Sequence, residues 1–236
     1  MIKKLVLLPG MDGTGELFAD FVEALPDTFD VEVVRYPNNV CLPYAELIKF
    51  VRSAAPASGP FVLIAESFST PLAIQYAAKN PPNLKALIIC TGFVTTPLRG
   101  WRRFLASLFA PLMFQVTLPE FAVGLLVGPN APSALVVAVR AAVSSVAPKV
   151  LSARLRTILA CDARGELRNV TAPILYIRAE QDRLVPASCV DDIRRIQPQT
   201  AVVTIAGPHL LLQKEPEQTA KVVSRFAQRV DRRTDN

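Results

Sequence analysis

The chain has 236 residues, enough for one α/β domain with an insertion and for a sizeable hydrophobic core. Apolar residues make up 51% and charged residues 19%, too hydrophobic and too sparsely charged for a disordered chain. The net charge of +6 is dispersed and aromatic residues are only 7%, so nucleic-acid binding is not expected; Arg, Lys, Pro or Gly also breaks each apolar run before the roughly 18 residues needed for a membrane span.

The first element is a strand over Lys4 to Leu8. The preceding lysines imitate a signal peptide, but the apolar run is short and ends at Pro9-Gly10 with no small-residue cleavage site. A glycine-rich loop follows, Pro9-Gly10-Met11-Asp12-Gly13-Thr14-Gly15, then a helix over Glu16 to Leu25 and a strand over Val31 to Tyr36. The glycines suit a loop whose backbone N–H groups face a ligand. Their spacing matches neither G-x-G-x-x-G nor a P-loop, and Arg35-Tyr36 stands where a dinucleotide site carries an acid.

A helix over Tyr44 to Ala54 leads to a strand over Phe61 to Ala65, which meets Glu66-Ser67-Phe68-Ser69 and a helix over Thr70 to Ala78. Strand, serine, helix is the arrangement of a nucleophile elbow, in which the residues two positions either side must be small; here they are Ala65 and Ser69. The same order also suits a plain helix N-cap. After a strand over Ala86 to Cys90 the rhythm breaks. From Gly92 to Val170 helical periodicity is interrupted by six prolines, with no convincing strand, which predicts inserted short helices.

Strand and helix resume with Ile174 to Arg178 and Ala187 to Ile196, then Ala201 to Ile205 and Pro216 to Val230. Recurring strands with helical connections predict an α/β fold with a mostly parallel sheet of about six strands. Asp182 follows the fifth strand, where a carboxylate can hold an imidazole Nδ1–H; it also suits an ordinary turn. His209, the only histidine, follows the sixth strand on the side where parallel sheets bind ligands. Ser67, Asp182 and His209 thus occur in the order nucleophile, acid, base, while Met11 and Phe68 N–H fit the two donors of an oxyanion hole. Asp162, Asp191 and Asp192 are alternative acids, each less close to the end of a strand.

The elbow, the PGMDGTG loop, the late aspartate and the terminal histidine together resemble the α/β-hydrolase superfamily over nearly the whole chain. The loop is similar to one seen in small bacterial esterases, some lipid acyltransferases and thioesterase domains. Ala65 and Ser69 replace the usual glycines of G-x-S-x-G, and the His-Gly dipeptide common before the loop is absent. The resemblance implies a core over residues 1–91 and 171–236, with a helical cap over 92–170. It also implies a serine hydrolase that cleaves carboxylic esters through an acyl-serine, without metal or organic cofactor. Thioester hydrolysis or acyl transfer by the same residues is an alternative, as is a non-catalytic ligand-binding protein on this fold.

The inserted segment carries an apolar cluster, Trp101, Phe104, Leu108, Phe109, Leu112 and Phe114 among others, which points to an apolar acyl pocket and a small-molecule ester as partner. Arg99, Arg102 and Arg103 flank it, either as a solvated face or as an element resting on a lipid surface. Cys41, Cys90, Cys161 and Cys189 lie far apart without CxxC pairs, which predicts reduced buried thiols and a cytoplasmic location.

Overall fold

The computed structural model of the chain describes residues 2–98, 100, 114 and 120–234. Each apolar run forms a strand: β1 (Lys4–Leu8), β2 (Asp30–Val33), β3 (Phe61–Glu66), β4 (Leu84–Cys90), β5 (Ile174–Ala179) and β6 (Ala201–Ile205). They make one sheet in the order β2-β1-β3-β4-β5-β6, and every neighbouring pair is parallel. β3 is buried along its whole length, as its unbroken apolar run requires of a central strand covered on both faces. The edge strands β2 and β6 instead alternate in exposure.

The helices among the described residues are α1 (Ala19–Glu23), α2 (Tyr44–Ala54), α3 (Thr70–Ala77), α4 (Glu120–Val127), α5 (Ser133–Ser144), α6 (Pro148–Ala160), α7 (Arg164–Leu167), α8 (Ser188–Ile196), α9 (Leu211–Lys214) and α10 (Pro216–Thr234). Because strand side chains alternate between faces, β1 sends Val6 and Leu8 into one core layer and Leu5 and Leu7 into the other. The first layer is closed by α2, α3 and α8, through residues such as Leu47, Leu72 and Ile193; the second is closed by α1 and α10, through Phe21, Val223 and Phe226. On α10 the residues Ala220, Val223, Ala227 and Val230 recur at helical spacing and are buried, while Arg225, Arg229 and Arg232 face solvent.

Several boundaries depart from the sequence expectation. The second strand ends at Val33, three residues early, because its partner β1 runs into Pro9, which has no N–H; Tyr36 N–H turns instead to Gly13 O at 2.8 Å. The helix expected over Glu16 to Leu25 divides into a 3₁₀ turn, Glu16–Phe18, and α1. The last helix extends beyond Val230 to Thr234, and α9 was not expected. Cys41 is exposed, against the expectation of buried thiols, with Sγ on Lys149 O at 3.4 Å.

α4 to α7 all lie between β4 and β5, and the two ends of that segment meet. Thr95 bridges Asp162 antiparallel, Ala163 N–H donates to Val94 O at 2.8 Å, and Thr96 N–H donates to Cys161 O at 3.3 Å. Among the described residues no single helix is long and apolar enough to cross a membrane; α5 and α6 reach that measure only as a pair bent by 96°. β1 lies between β2 and β3, so the connections leaving β1 and β2 run in opposite directions. Parallel sheets bind ligands in the crevice this reversal opens beyond the strands' carboxyl ends. The loops holding Met11 and Ser67 leave β1 and β3 there.

Candidate active site

β3 passes directly into a turn at Ser67 whose φ of 47° lies in the left-handed region. That conformation is uncommon outside glycine and costs about 1–3 kcal/mol, a strain concentrated at functional sites. Ala65 and Ser69 are both fully buried where strand and helix close on each other. Ser69 accepts the Tyr36 hydroxyl at 2.8 Å and donates to Pro9 O. In place of a glycine, it thereby ties the elbow to the end of β1.

His209 Nδ1–H donates to Asp182 Oδ2 at 2.8 Å, which leaves Nε2 as the acceptor facing Ser67 Oγ at 2.9 Å. The His209 and Asp182 side chains are each only 5% exposed, so their pairing is shielded from solvent. Asp182 Oδ1 accepts the N–H groups of Leu184 at 2.8 Å and Val185 at 2.9 Å, which fixes the carboxylate. The inserted segment holds the loop of His209: Leu210 N–H donates to Leu126 O at 2.9 Å, and Gly128 lies so close to Pro208 that a Cβ there would sit 3.1 Å from its ring. The alternative acids lie elsewhere. Asp162 pairs with Arg164 at 2.6 Å, Asp192 pairs with Arg195, and Asp191 is exposed.

The loop after β1 has its polar groups spoken for almost throughout. Pro9 O accepts from Ser69, Gly10 O from Gly13 N–H at 3.1 Å, and Met11 O and Asp12 O from Arg154 at 2.9 and 2.6 Å. Asp12 Oδ2 accepts the N–H and hydroxyl of Thr14 at 2.8 and 2.6 Å, and Gly10 N–H faces the Glu66 carboxyl. No partner for the Met11 N–H occurs among the described residues, which leaves it available to a ligand. Phe68 is clamped by edge contact with Tyr36, by tilted contact with Tyr44 at 5.0 Å, and by the Tyr44 hydroxyl on its carbonyl at 2.7 Å.

Glu66, Gln213 and Arg154 were not singled out from the sequence. Glu66 is 2% exposed and its Oε2 accepts Gln213 Nε2 at 3.3 Å. Burial pushes its titration up to about 7, opposed mainly by the charge of His209 and the Gln213 hydrogen bond. Among the described residues, Glu66 Oε1 and Gln213 Oε1 are both buried acceptors without a donor. The legible signal was an acid in an otherwise apolar strand. For Arg154 it was a cation on the buried stripe of α6, between Leu151 and Leu155, where charge needs a partner.

Met11 also packs into two apolar clusters, with Leu155 and Leu159 of α6 in one and with Val150 and Leu151 of α6 and the preceding Val146 in the other, and Phe114 joins both. Trp101, Phe104, Leu108, Phe109 and Leu112 lie outside the described residues, as do Arg99, Arg102 and Arg103. Two clefts of about 690 and 600 Å³ share Ala160, Cys161 and Asp162, and neither is lined by Ser67, Asp182 or His209. Hydrogen-bond geometry, not concavity, marks the site.

The alpha/beta hydrolase family model matches residues 5–222. The chain belongs to the alpha/beta hydrolase family. Among relatives of this family member, a pimeloyl-(acyl-carrier protein) methyl ester esterase of Xanthomonas oryzae pv. oryzae is 28% identical over 94% of this chain and 94% of its own length. Phytyl ester synthase 2, chloroplastic, of Arabidopsis thaliana is 29% identical over 41% of this chain, and the match spans only 15% of that protein. In fold, this hydrolase-family chain superposes on a hydrolase from Oleispira antarctica with a TM-score of 0.84 at 14% identity, covering 97% and 92% of the two chains.

Proposed function

We propose that this chain is a carboxylic ester hydrolase in which Ser67 is the nucleophile, His209 the general base and Asp182 the group that orients it. The observation that carries this reading is the line of hydrogen bonds from Ser67 Oγ through His209 to Asp182, at 2.9 and 2.8 Å, on a strained turn at the end of β3. In the first half-reaction Ser67 Oγ attacks the ester carbonyl carbon as His209 Nε2 takes the hydroxyl proton. The tetrahedral oxyanion rests on the N–H groups of Met11 and Phe68, and Phe68 precedes the N-terminus of α3, whose dipole favours negative charge. Collapse breaks the carbon–alkoxide bond, and His209 returns the proton to the departing alcohol.

Water then attacks the acyl-serine as His209 takes its proton. Collapse of the second tetrahedral intermediate releases the carboxylic acid and restores the Ser67 hydroxyl. Asp182 stabilises the imidazolium in both halves without itself being protonated. Residues 92–170 serve as a cap over a core of 1–91 and 171–236. Met11, Phe114, Leu151 and Leu155 form part of an acyl pocket that favours apolar chains, each buried methylene contributing about 0.8 kcal/mol. The names of the Xanthomonas and Arabidopsis relatives, an ester esterase and an ester synthase, support ester chemistry and keep acyl transfer as the second reading.

Hydrolysis of a p-nitrophenyl ester series and of acyl thioesters by wild type and Ser67→Ala tests the assignment. Esters with apolar acyl chains should turn over fastest, and Ser67→Ala should lose roughly 10⁴-fold or more in kcat. A fluorophosphonate should label Ser67 alone. Full activity in Ser67→Ala, or labelling elsewhere, refutes the assignment. Product that forms only when an alcohol is added transfers it to acyl transfer.

A further inference from the structure

Arg154 belongs to α6 in the inserted segment, yet its guanidinium reaches the loop of Met11, and the residue is only 2% exposed. Its hydrogen bonds go to main-chain carbonyls: Nη1 to Met11 O and Asp12 O, and Nη2 to Pro37 O at 2.9 Å. Its Cζ also lies 5.8 Å from the Tyr36 ring centroid and 5.9 Å from that of Phe68, so one side chain contacts both halves of the oxyanion site. The loop is shaped to receive it. Gly13 has a φ of +71°, and a Cβ there would lie 2.6 Å from Nη1.

The consequence follows from which atoms share a peptide group. Arg154 donates to Asp12 C=O, whose peptide carries the Gly13 N–H; that N–H donates to Gly10 C=O, whose peptide carries the Met11 N–H. Each acceptance polarises the N–H on the same peptide, and such chains strengthen cooperatively where water is excluded. The chain starts at a cation and ends on a donor with no partner among the described residues. A buried guanidinium tolerates burial only when its hydrogen bonds are made; Nη1 takes two adjacent carbonyls and Nη2 a third on another loop, a set that a lysine point charge can meet only in part.

We infer that Arg154 is a positioning residue for the oxyanion site: it orients and polarises the Met11 N–H through two peptide groups and so makes turnover depend on the inserted segment. This rests on the ester-hydrolase reading above, in which Met11 N–H meets the oxyanion. Because the charge that the relay serves develops only in the tetrahedral state, Arg154 acts on kcat more than on KM.

The test is steady-state hydrolysis of p-nitrophenyl butyrate by wild type, Arg154→Met, Arg154→Lys and Ser67→Ala, with inhibition by an alkyl trifluoromethyl ketone, whose serine adduct carries a comparable oxyanion. Arg154→Met should lower kcat roughly 10- to 100-fold, less than outright loss of a donor, with KM within about threefold. The ketone's affinity should fall by a similar factor, and Arg154→Lys should recover part of both. Far-UV circular dichroism reports folding; if Arg154→Met does not fold, the kcat, KM and ketone readouts of Arg154→Lys decide. An unchanged kcat, a loss confined to KM, or a loss of kcat with undiminished ketone affinity overturns the inference. Failure of the underlying reading is distinct: Ser67→Ala would then retain activity.

Discussion

Replacing Glu66 with glutamine isolates the energetic consequence of burying a carboxyl beside the candidate nucleophile. In the fold Glu66 titrates at about 7 against an ordinary value of 4.5, because burial penalises its charged form more than His209 and Gln213 assist it. Its folded-state value is raised, so the associated stability is fully present below pH 4.5 and is lost as pH rises through 7. Integrated over that window the loss is about 3 kcal/mol, most of it between pH 5 and 8. Glutamine keeps the shape and an acceptor for Gly10 N–H and for Gln213 Nε2, and does not titrate. Urea unfolding of wild type and Glu66→Gln, followed by circular dichroism at several pH values, measures the difference with other titrations cancelling. The variant's stability relative to wild type should grow by about 2–3 kcal/mol from pH 5 to pH 8, or very roughly 4–12 °C in Tm. A difference that stays constant across this range refutes the argument that Glu66 is held as a neutral acid.

Asp182→Asn should lower kcat by about 10⁴-fold, since the amide favours the wrong imidazole tautomer, whereas Glu180→Gln, at an exposed side chain, should leave it within twofold; steady-state kinetics on both variants decide, and the opposite ranking reassigns the acid. Phe114→Ala should reduce kcat/KM for long-chain p-nitrophenyl esters by about tenfold relative to the acetate, because Phe114 packs on the same apolar clusters of α6 as Met11; equal losses across the chain-length series would remove it from the pocket. Gly92→Ala should destabilise the fold by about 1–3 kcal/mol in chemical unfolding, because its Cβ would lie 2.0 Å from Thr70 Oγ1 and 2.5 Å from Ile89 Cγ2 in a packed core; wild-type stability would mean that the close approach is absent.

The sheet was legible because a central parallel strand must be apolar at consecutive positions over a short run bounded by turn residues. Phe61 to Ala65 and Ile174 to Arg178 therefore announce themselves without tertiary information. α2, whose apolar stripe and bounding prolines are local, falls on its expected limits, whereas β2 stops early because its length depends on Pro9, just past the end of a different strand. Ser67, Asp182 and His209 were readable as candidates because each sits where a strand ends. Their order in the chain says nothing about distance, however; residues 142 positions apart come within 2.9 Å only through the sheet order and the parallel register.

By itself the sequence determined the identity and order of the strands and the residue types available for chemistry beyond their ends, since those follow from local periodicity and side-chain functional groups. Only the tertiary structure decided that Asp182, and not Asp162, Asp191 or Asp192, faces His209, and that Glu66 is buried against Gln213. It also decided that Arg154, from the inserted segment, grips the loop of Met11 across more than 140 residues of chain. The reason is physical: local propensity acts over a few residues, whereas burial, which sets the cost of a charge and the need for its partners, depends on what the rest of the chain places around it.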